Sequence, residues 1–182
     1  MMRGLLILSN YVEDMEALGT RDLLKRAGIE IVTATFETSL QIITSYGLHV
    51  KADDYAQNIT IDGYDFLIIP GGPYVGKIVD QDRDIKELVR EFYDQGKLIT
   101  AICAGPRFLG QIGLLDGKHY TAFHGSNKDA LKGYYHPEEK VVIDGRIITA
   151  RGAGVIYDFA YEITKYLLSE EKAKEVQKNM MF

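Results

Sequence analysis

Short, uniformly apolar runs alternate along this chain with longer stretches whose apolar residues recur at helical spacing, and the alternation predicts strands and helices in turn. Residues 5–9 stay apolar as far as Ser9, as expected of a strand buried on both faces. They lead through Asn10 and Tyr11 into a predicted helix over 13–27, with Met15, Leu18, Leu23, Leu24 and Ala27 on its apolar face. Lys25 and Arg26 complement the dipole in its last turn, and Gly28 closes it. The β-branched stretch 31–35 predicts a second strand, and the runs 41–45 and 48–52 around Gly47 predict a small hairpin. Residues 64–69 predict a strand stopped by the turn Pro70-Gly71-Gly72-Pro73, with a helix over 82–95 and Gly96 at its end. A further strand over 97–102 runs directly into Cys103-Ala104-Gly105-Pro106, after which Phe108, Leu109 and Ile112 mark a short helix. Beyond a strand-like stretch at 119–123, the runs 141–143 and 147–149 flank Asp144-Gly145, a hairpin signal because both residues tolerate positive φ. Ile156, Ala160, Ile163 and Leu167 then mark a helix from about 155, and the charged tail 169–182 predicts a solvated terminal helix.

Strands alternating with helices, without repeat or linker, predict one α/β domain over 1–182. Its sheet is doubly wound and mostly parallel, with helices on both faces, a small hairpin, and a ligand crevice at the carboxyl ends of the strands. Hydrophobic residues make up 46% of the 182, enough for a full core. Acidic residues exceed basic ones, 26 to 21, for a net charge of -5, which argues against nucleic acid as a partner and for a small or neutral one. No apolar run approaches the roughly 20 residues that span a bilayer, and the opening reads as no signal peptide, so no membrane partner is expected. A single cysteine excludes an intramolecular disulfide or a CxxC pair and fits a reducing cytoplasm.

That cysteine sits where chemistry is expected. Ala101-Ile102-Cys103-Ala104-Gly105 has the small-x-nucleophile-x-Gly pattern of a nucleophile elbow with sulfur in place of a hydroxyl, and small flanks avoid collisions across its tight turn. A helix start would stabilise the thiolate and lower the thiol pKa. The Pro70-Gly71-Gly72 turn ends a neighbouring strand, so its N–H groups and that of Ala104 are candidates for an oxyanion hole. Glu13, Asp14 and Glu16 follow the first strand, within reach of the same crevice, though acids also suit a helix N-terminus. His124 lies 21 residues after the cysteine and is a candidate base or acid. His119 reads as buried or edge-facing, His49 falls in the small hairpin, and His136-Pro137-Glu138 reads as surface. Gly152-Ala153-Gly154 is a weak phosphate signal better explained by close backbone packing, with Arg151 a partner for an acid. No spacing of His, Cys, Asp and Glu makes a metal site.

Four segments carry a resemblance over nearly the whole chain: Glu13-Asp14-Met15-Glu16, Ile69-Pro70-Gly71-Gly72, Ala101-Ile102-Cys103-Ala104-Gly105-Pro106 and Ala150-Arg151-Gly152-Ala153-Gly154. In these the chain resembles the DJ-1/PfpI family, also called ThiJ/PfpI. The resemblance implies a flavodoxin-like fold, a homodimer, and no cofactor. It makes Cys103 the reactive nucleophile, Glu16 the acid hydrogen-bonded to its sulfur, His124 the nearby histidine, and Gly72 and Ala104 the backbone donors. Ala104, where other branches have histidine, is similar to the deglycase-like branch that includes the human parkinsonism-associated protein. Asp22 and Arg26 match that branch's charged pair near the dimer contact, whereas Gly125 stands where the branch often has proline. The implied activities are a glyoxalase III or protein deglycase acting on methylglyoxal and glyoxal, an oxidative-stress sensor, or a redox-linked chaperone. An amidase or protease is the remaining alternative, and Asp129 is then the acid available to orient His124.

Overall fold

The computed structural model describes residues 1–181, and the apolar runs form its centre. The strands are β1 (Arg3–Ile7), β2 (Glu30–Thr35), β3 (Gln41–Ile43), β4 (His49–Lys51), β5 (Asp54–Tyr55), β6 (Phe66–Ile69), β7 (Leu98–Ile102), β8 (His119–Tyr120), β9 (Tyr134–Tyr135), β10 (Val141–Asp144) and β11 (Ile147–Ala150). The helices are α1 (Thr20–Arg26), which continues a π-helical turn over Met15–Gly19, then α2 (Pro73–Ile78), α3 (Asp84–Asp94), α4 (Pro106–Gln111), α5 (Ile156–Leu167) and α6 (Glu170–Asn179).

Seven strands form one sheet in the order β10-β11-β7-β6-β1-β2-β5, parallel except for the antiparallel pair β10–β11. From β1 the chain crosses to β2 on one side, and from β6 it crosses to β7 on the other. Right-handed crossovers in opposite directions put α1 on one face and α3 and α4 on the other. α5 packs on α1 and carries α6. With both faces covered, every residue of β6 and β7 is buried, which is why these runs carry no polar alternation. α3 buries Ile85, Leu88, Val89 and Phe92, the stripe that helical periodicity requires.

Five local expectations change. Residues 73–78 form α2, with Pro73 in its first turn where a missing N–H costs nothing, rather than ending as a turn alone. In the π turn the apolar face is inverted: Met15 is 49% exposed and Glu16 is wholly buried. Only two residues of 119–123 pair as a strand, because other bonds engage the rest: Thr121 N–H donates to Thr149 Oγ1 at 2.9 Å, the Ala122 carbonyl accepts from the Tyr135 hydroxyl at 3.3 Å, and Phe123 N–H donates to the Cys103 carbonyl at 2.8 Å. Asp144 pairs with Ile147, so the hairpin turns on Gly145 and Arg146, and only Gly145 has positive φ. The small hairpin β3–β4 forms as expected. α6 is less solvated than its composition suggests, burying Ala173 and Val176 where it packs on α5.

Candidate active site

Three strand ends meet where the order of the sheet reverses, the usual place for a ligand crevice. β7, paired on both sides, delivers the chain directly into Cys103, whose φ is +62°, a conformation strained for any L-residue. The Cys103 N–H donates to the Ala150 carbonyl at 2.9 Å, and its carbonyl accepts from Phe123 N–H at 2.8 Å, so the strained turn is held from both sides. The need for small flanks is steric. A Cβ on Gly105 would lie 2.5 Å from the Ile69 carbonyl oxygen, and one on Gly71 would lie 2.7 Å from both Cys103 Cβ and Glu16 Oε2. Gly72, at φ +121°, leaves no room for a Cβ against the Tyr11 carbonyl oxygen, 2.5 Å away. Neither the Gly72 nor the Ala104 N–H enters a backbone hydrogen bond among the described residues; the Ala104 N–H bears on the Cys103 sulfur, and both lie where a reacting oxygen could accept from them.

The loop after β1 supplies the acid. Glu13 donates its N–H to the Gly71 carbonyl at 3.0 Å and accepts from Glu16 N–H through Oε2 at 2.8 Å, fixing the π turn that swings Glu16 inward. Asp14 instead accepts from Thr44 Oγ1 at 2.6 Å and Tyr46 N–H at 3.1 Å, anchoring the β3–β4 hairpin. Of the three acids, Glu16 is therefore the one that meets the cysteine. Its Oε2 accepts from Gly71 N–H at 2.8 Å, while Oε1 is enclosed without a hydrogen-bond partner; the Cys103 thiol and the Ala153 N–H also bear on the carboxyl.

Burial pushes the Glu16 carboxyl up to about 7, against the opposing pull of the Cys103 thiol and the Gly71 N–H. The Cys103 thiol is also pushed up, first by burial and then by the charge of Glu16. This corrects the expected lowering: lost hydration and a carboxylate in contact outweigh the Ala104 N–H and the start of a six-residue helix. Above about pH 7 the pair has released one proton and keeps the other, a nucleophile and base sharing one proton.

The other expected residues lie further out. His124 is exposed, follows Phe123, and makes no hydrogen bond or ion pair among the described residues; it lines an open groove with Phe123, Tyr135, Arg151 and Ala153. Asp129 does not orient it, because Asp129 is bound by Arg107 and Gln111. His119 is exposed rather than buried and stacks on Tyr134 and His136, its Nδ1 2.7 Å from Nε2 of His136. His49 is exposed on β4. Arg151 donates to the Glu138 carbonyl at 3.1 Å, not to an acid. Asp22 and Arg26 pair with each other at 2.8 Å on the exposed side of α1. Two contributors escape sequence reasoning: Ala153, whose N–H bears on Glu16, and Tyr74, whose hydroxyl reaches the Pro70 carbonyl. The Gly-Ala-Gly segment was the only signal for the first, and nothing in the pattern of residues marks the second.

Comparison with known proteins bears on the family and the fold. The model described as the DJ-1/PfpI family matches residues 2–166. Protein dj-1beta of Drosophila melanogaster is 31% identical, covering 98% of this chain and 96% of its own, and its crystal structure superposes with a TM-score of 0.91 over 99% of this chain and 97% of its own. Deglycase PfpI of Pyrococcus furiosus is 30% identical over 91% of this chain and 99% of its own. The glutathione-independent glyoxalase DJR-1.2 of Caenorhabditis elegans is 32% identical over 91% and 88%. The fold is the flavodoxin-like one that the motifs implied.

Proposed function

Because this chain belongs to the DJ-1/PfpI family, we propose that it is a cysteine enzyme of the glyoxalase III or deglycase type, converting methylglyoxal or glyoxal to hydroxy acids without a cofactor. One observation carries the reading: a strained Cys103 shares a proton with the buried Glu16, beside the Ala104 N–H that bears on the sulfur and the Gly72 N–H that enters no backbone hydrogen bond among the described residues. Relatives named as deglycases and as a glyoxalase support it.

Glu16 takes the thiol proton as sulfur adds to the aldehyde carbon, and the oxyanion forms between the Gly72 and Ala104 N–H groups. Return of that proton gives a hemithioacetal. Glu16 then removes the proton from the carbon bearing sulfur, the electron pair passes to the ketone oxygen, and the enediol is reprotonated on the adjacent carbon. The product is a lactoyl thioester, which water cleaves to lactate and free Cys103. One substrate carbon is oxidised and its neighbour reduced, so the electrons balance within the substrate. His124, at the groove rim, assists proton movement on the ketone side. The same reading has a homodimer in the cytoplasm, with the Asp22–Arg26 pair near the contact.

A second reading, an oxidative-stress sensor or redox-linked chaperone, is favoured by the partial exposure of Cys103. Peroxide would oxidise the sulfur, and a protonated Glu16 with the Gly72 and Ala104 amides would hold the sulfinate. The amidase or protease alternative loses its triad, since Asp129 is engaged elsewhere.

Lactate formed from methylglyoxal without glutathione, in buffer free of amines and thiols, separates the readings. Cys103→Ala should fall to background, Glu16→Gln by about 100-fold or more, and His124→Ala by less than about 10-fold. Lactate that persists unchanged in Cys103→Ala removes the catalytic assignment; none above that background in the wild type leaves the sensor ahead.

A further inference from the structure

Tyr74, in the first turn of α2, is 2% exposed and has no part in the chemistry above. Its ring stacks on Phe108 of α4, centroids 6.2 Å apart, and its hydroxyl donates to the Pro70 carbonyl at 2.7 Å. That carbonyl and the Gly71 N–H belong to one planar peptide group, and Gly71 N–H is the donor to Glu16 Oε2 at 2.8 Å. A single rigid unit thus receives a hydrogen bond from Tyr74 at one end and gives one to the carboxyl at the other.

A peptide plane beside glycine rotates at little steric cost, and this one is followed by two glycines. Turned over, it would aim a carbonyl oxygen at Glu16, an arrangement that only the protonated acid tolerates. The Tyr74 hydroxyl opposes that rotation and, by donating to the carbonyl, polarises the N–H at the far end. Burial holds the hydroxyl far above its usual range, so it remains a donor wherever the fold persists.

We propose that Tyr74 is a positioning residue for the Cys103–Glu16 pair, holding the Pro70–Gly71 peptide with its N–H toward Glu16 so that the carboxyl is kept ready to accept the thiol proton. The inference rests on Glu16 as the base of the proposed reaction. The groups facing Glu16 are Cys103 from the β7–α4 turn, Glu13 from the loop after β1, Tyr74 from α2 and the Ala153 N–H ahead of α5; Asp82 also bears on Tyr74.

Tyr74→Phe keeps the ring and removes only the donor. Carboxyl carbon-13 NMR should show the Glu16 midpoint rising by about one pH unit from the wild-type value, with the Gly71 amide proton moving upfield. Lactate formation at pH 7 should drop about three- to tenfold and recover at higher pH, a pattern that loss of packing alone does not give. Phe108→Leu disturbs the same packing without touching the hydroxyl, and should lower the melting temperature while leaving the Glu16 midpoint in place. An unmoved midpoint in folded Tyr74→Phe overturns the proposal, as does an equal shift in Phe108→Leu. The NMR titration needs no turnover, so absence of lactate in every variant would count against the proposed reaction and leave the role of Tyr74 to be judged separately.

Discussion

Glu16 carries a conflict between folding and ionisation. Its carboxyl sits at 4.5 in an ordinary setting and at about 7 in the folded chain, so between those values the unfolded state releases a proton that the folded state keeps. Its contribution to stability is complete below about pH 4.5 and is lost as pH rises through 7. A gap of about 2.5 pH units corresponds to about 3 kcal/mol. Glu16→Gln has nothing to titrate there, so urea unfolding of the two proteins should show the variant gaining on the wild type by up to about 3 kcal/mol between pH 5 and pH 8. A constant difference across that range would mean that Glu16 is not held out of water. The cysteine's position was readable from its neighbours, since an apolar strand ending in Cys-Ala-Gly-Pro has few other uses. Its proton affinity was not, because that depends on how deeply a residue 87 positions earlier in the chain is buried against it.

The π turn explains why the element that carries Glu16 was only half readable. Apolar spacing over 13–27 indicates a helix, but one widened turn at its start rotates every preceding side chain, and a 3.6-residue period then points Met15 inward and Glu16 outward. The elbow strand, the β3–β4 hairpin and β10–β11 were readable because their patterns are local. The segment 119–123 was not, because its backbone is satisfied by Thr149 and Tyr135, residues far along the chain. A comparable long-range tie joins α4 to the 3-10 turn Ser126–Asp129. Arg107 is 6% exposed and pairs with Asp129, and a Cβ on Gly110 would sit 2.8 Å from the Asp129 carbonyl oxygen. Arg107→Ala leaves the Asp129 carboxylate without its cation, with Gln111 as its remaining side-chain donor, and should destabilise the protein by about 3 kcal/mol, read as a lower denaturant midpoint. A loss under about 1 kcal/mol would show that the pair is hydrated in solution.

Across the molecule, β6 and β7 lie at the centre of the sheet with both faces covered, while β3 and β4 form a separate two-stranded ladder with alternate residues exposed. Amides of β6 and β7 should exchange with deuterium only through global unfolding, at least about a thousandfold more slowly than those of β3 and β4. Similar rates in the two places would mean that the hairpin, with Asp14 anchoring it, opens together with the core. The flanks of the sheet have a different consequence. β5 contributes two residues, and β10, four residues long, has β8 packed against it, with His119 N–H and Lys118 Nζ on the Asp144 carboxylate. Neither side leaves a long row of unused main-chain donors and acceptors, so a second copy finds little template for adding its own strands. Any self-association of this chain would then be made by side chains on its helices and loops, which a substitution can abolish without disturbing the ladder.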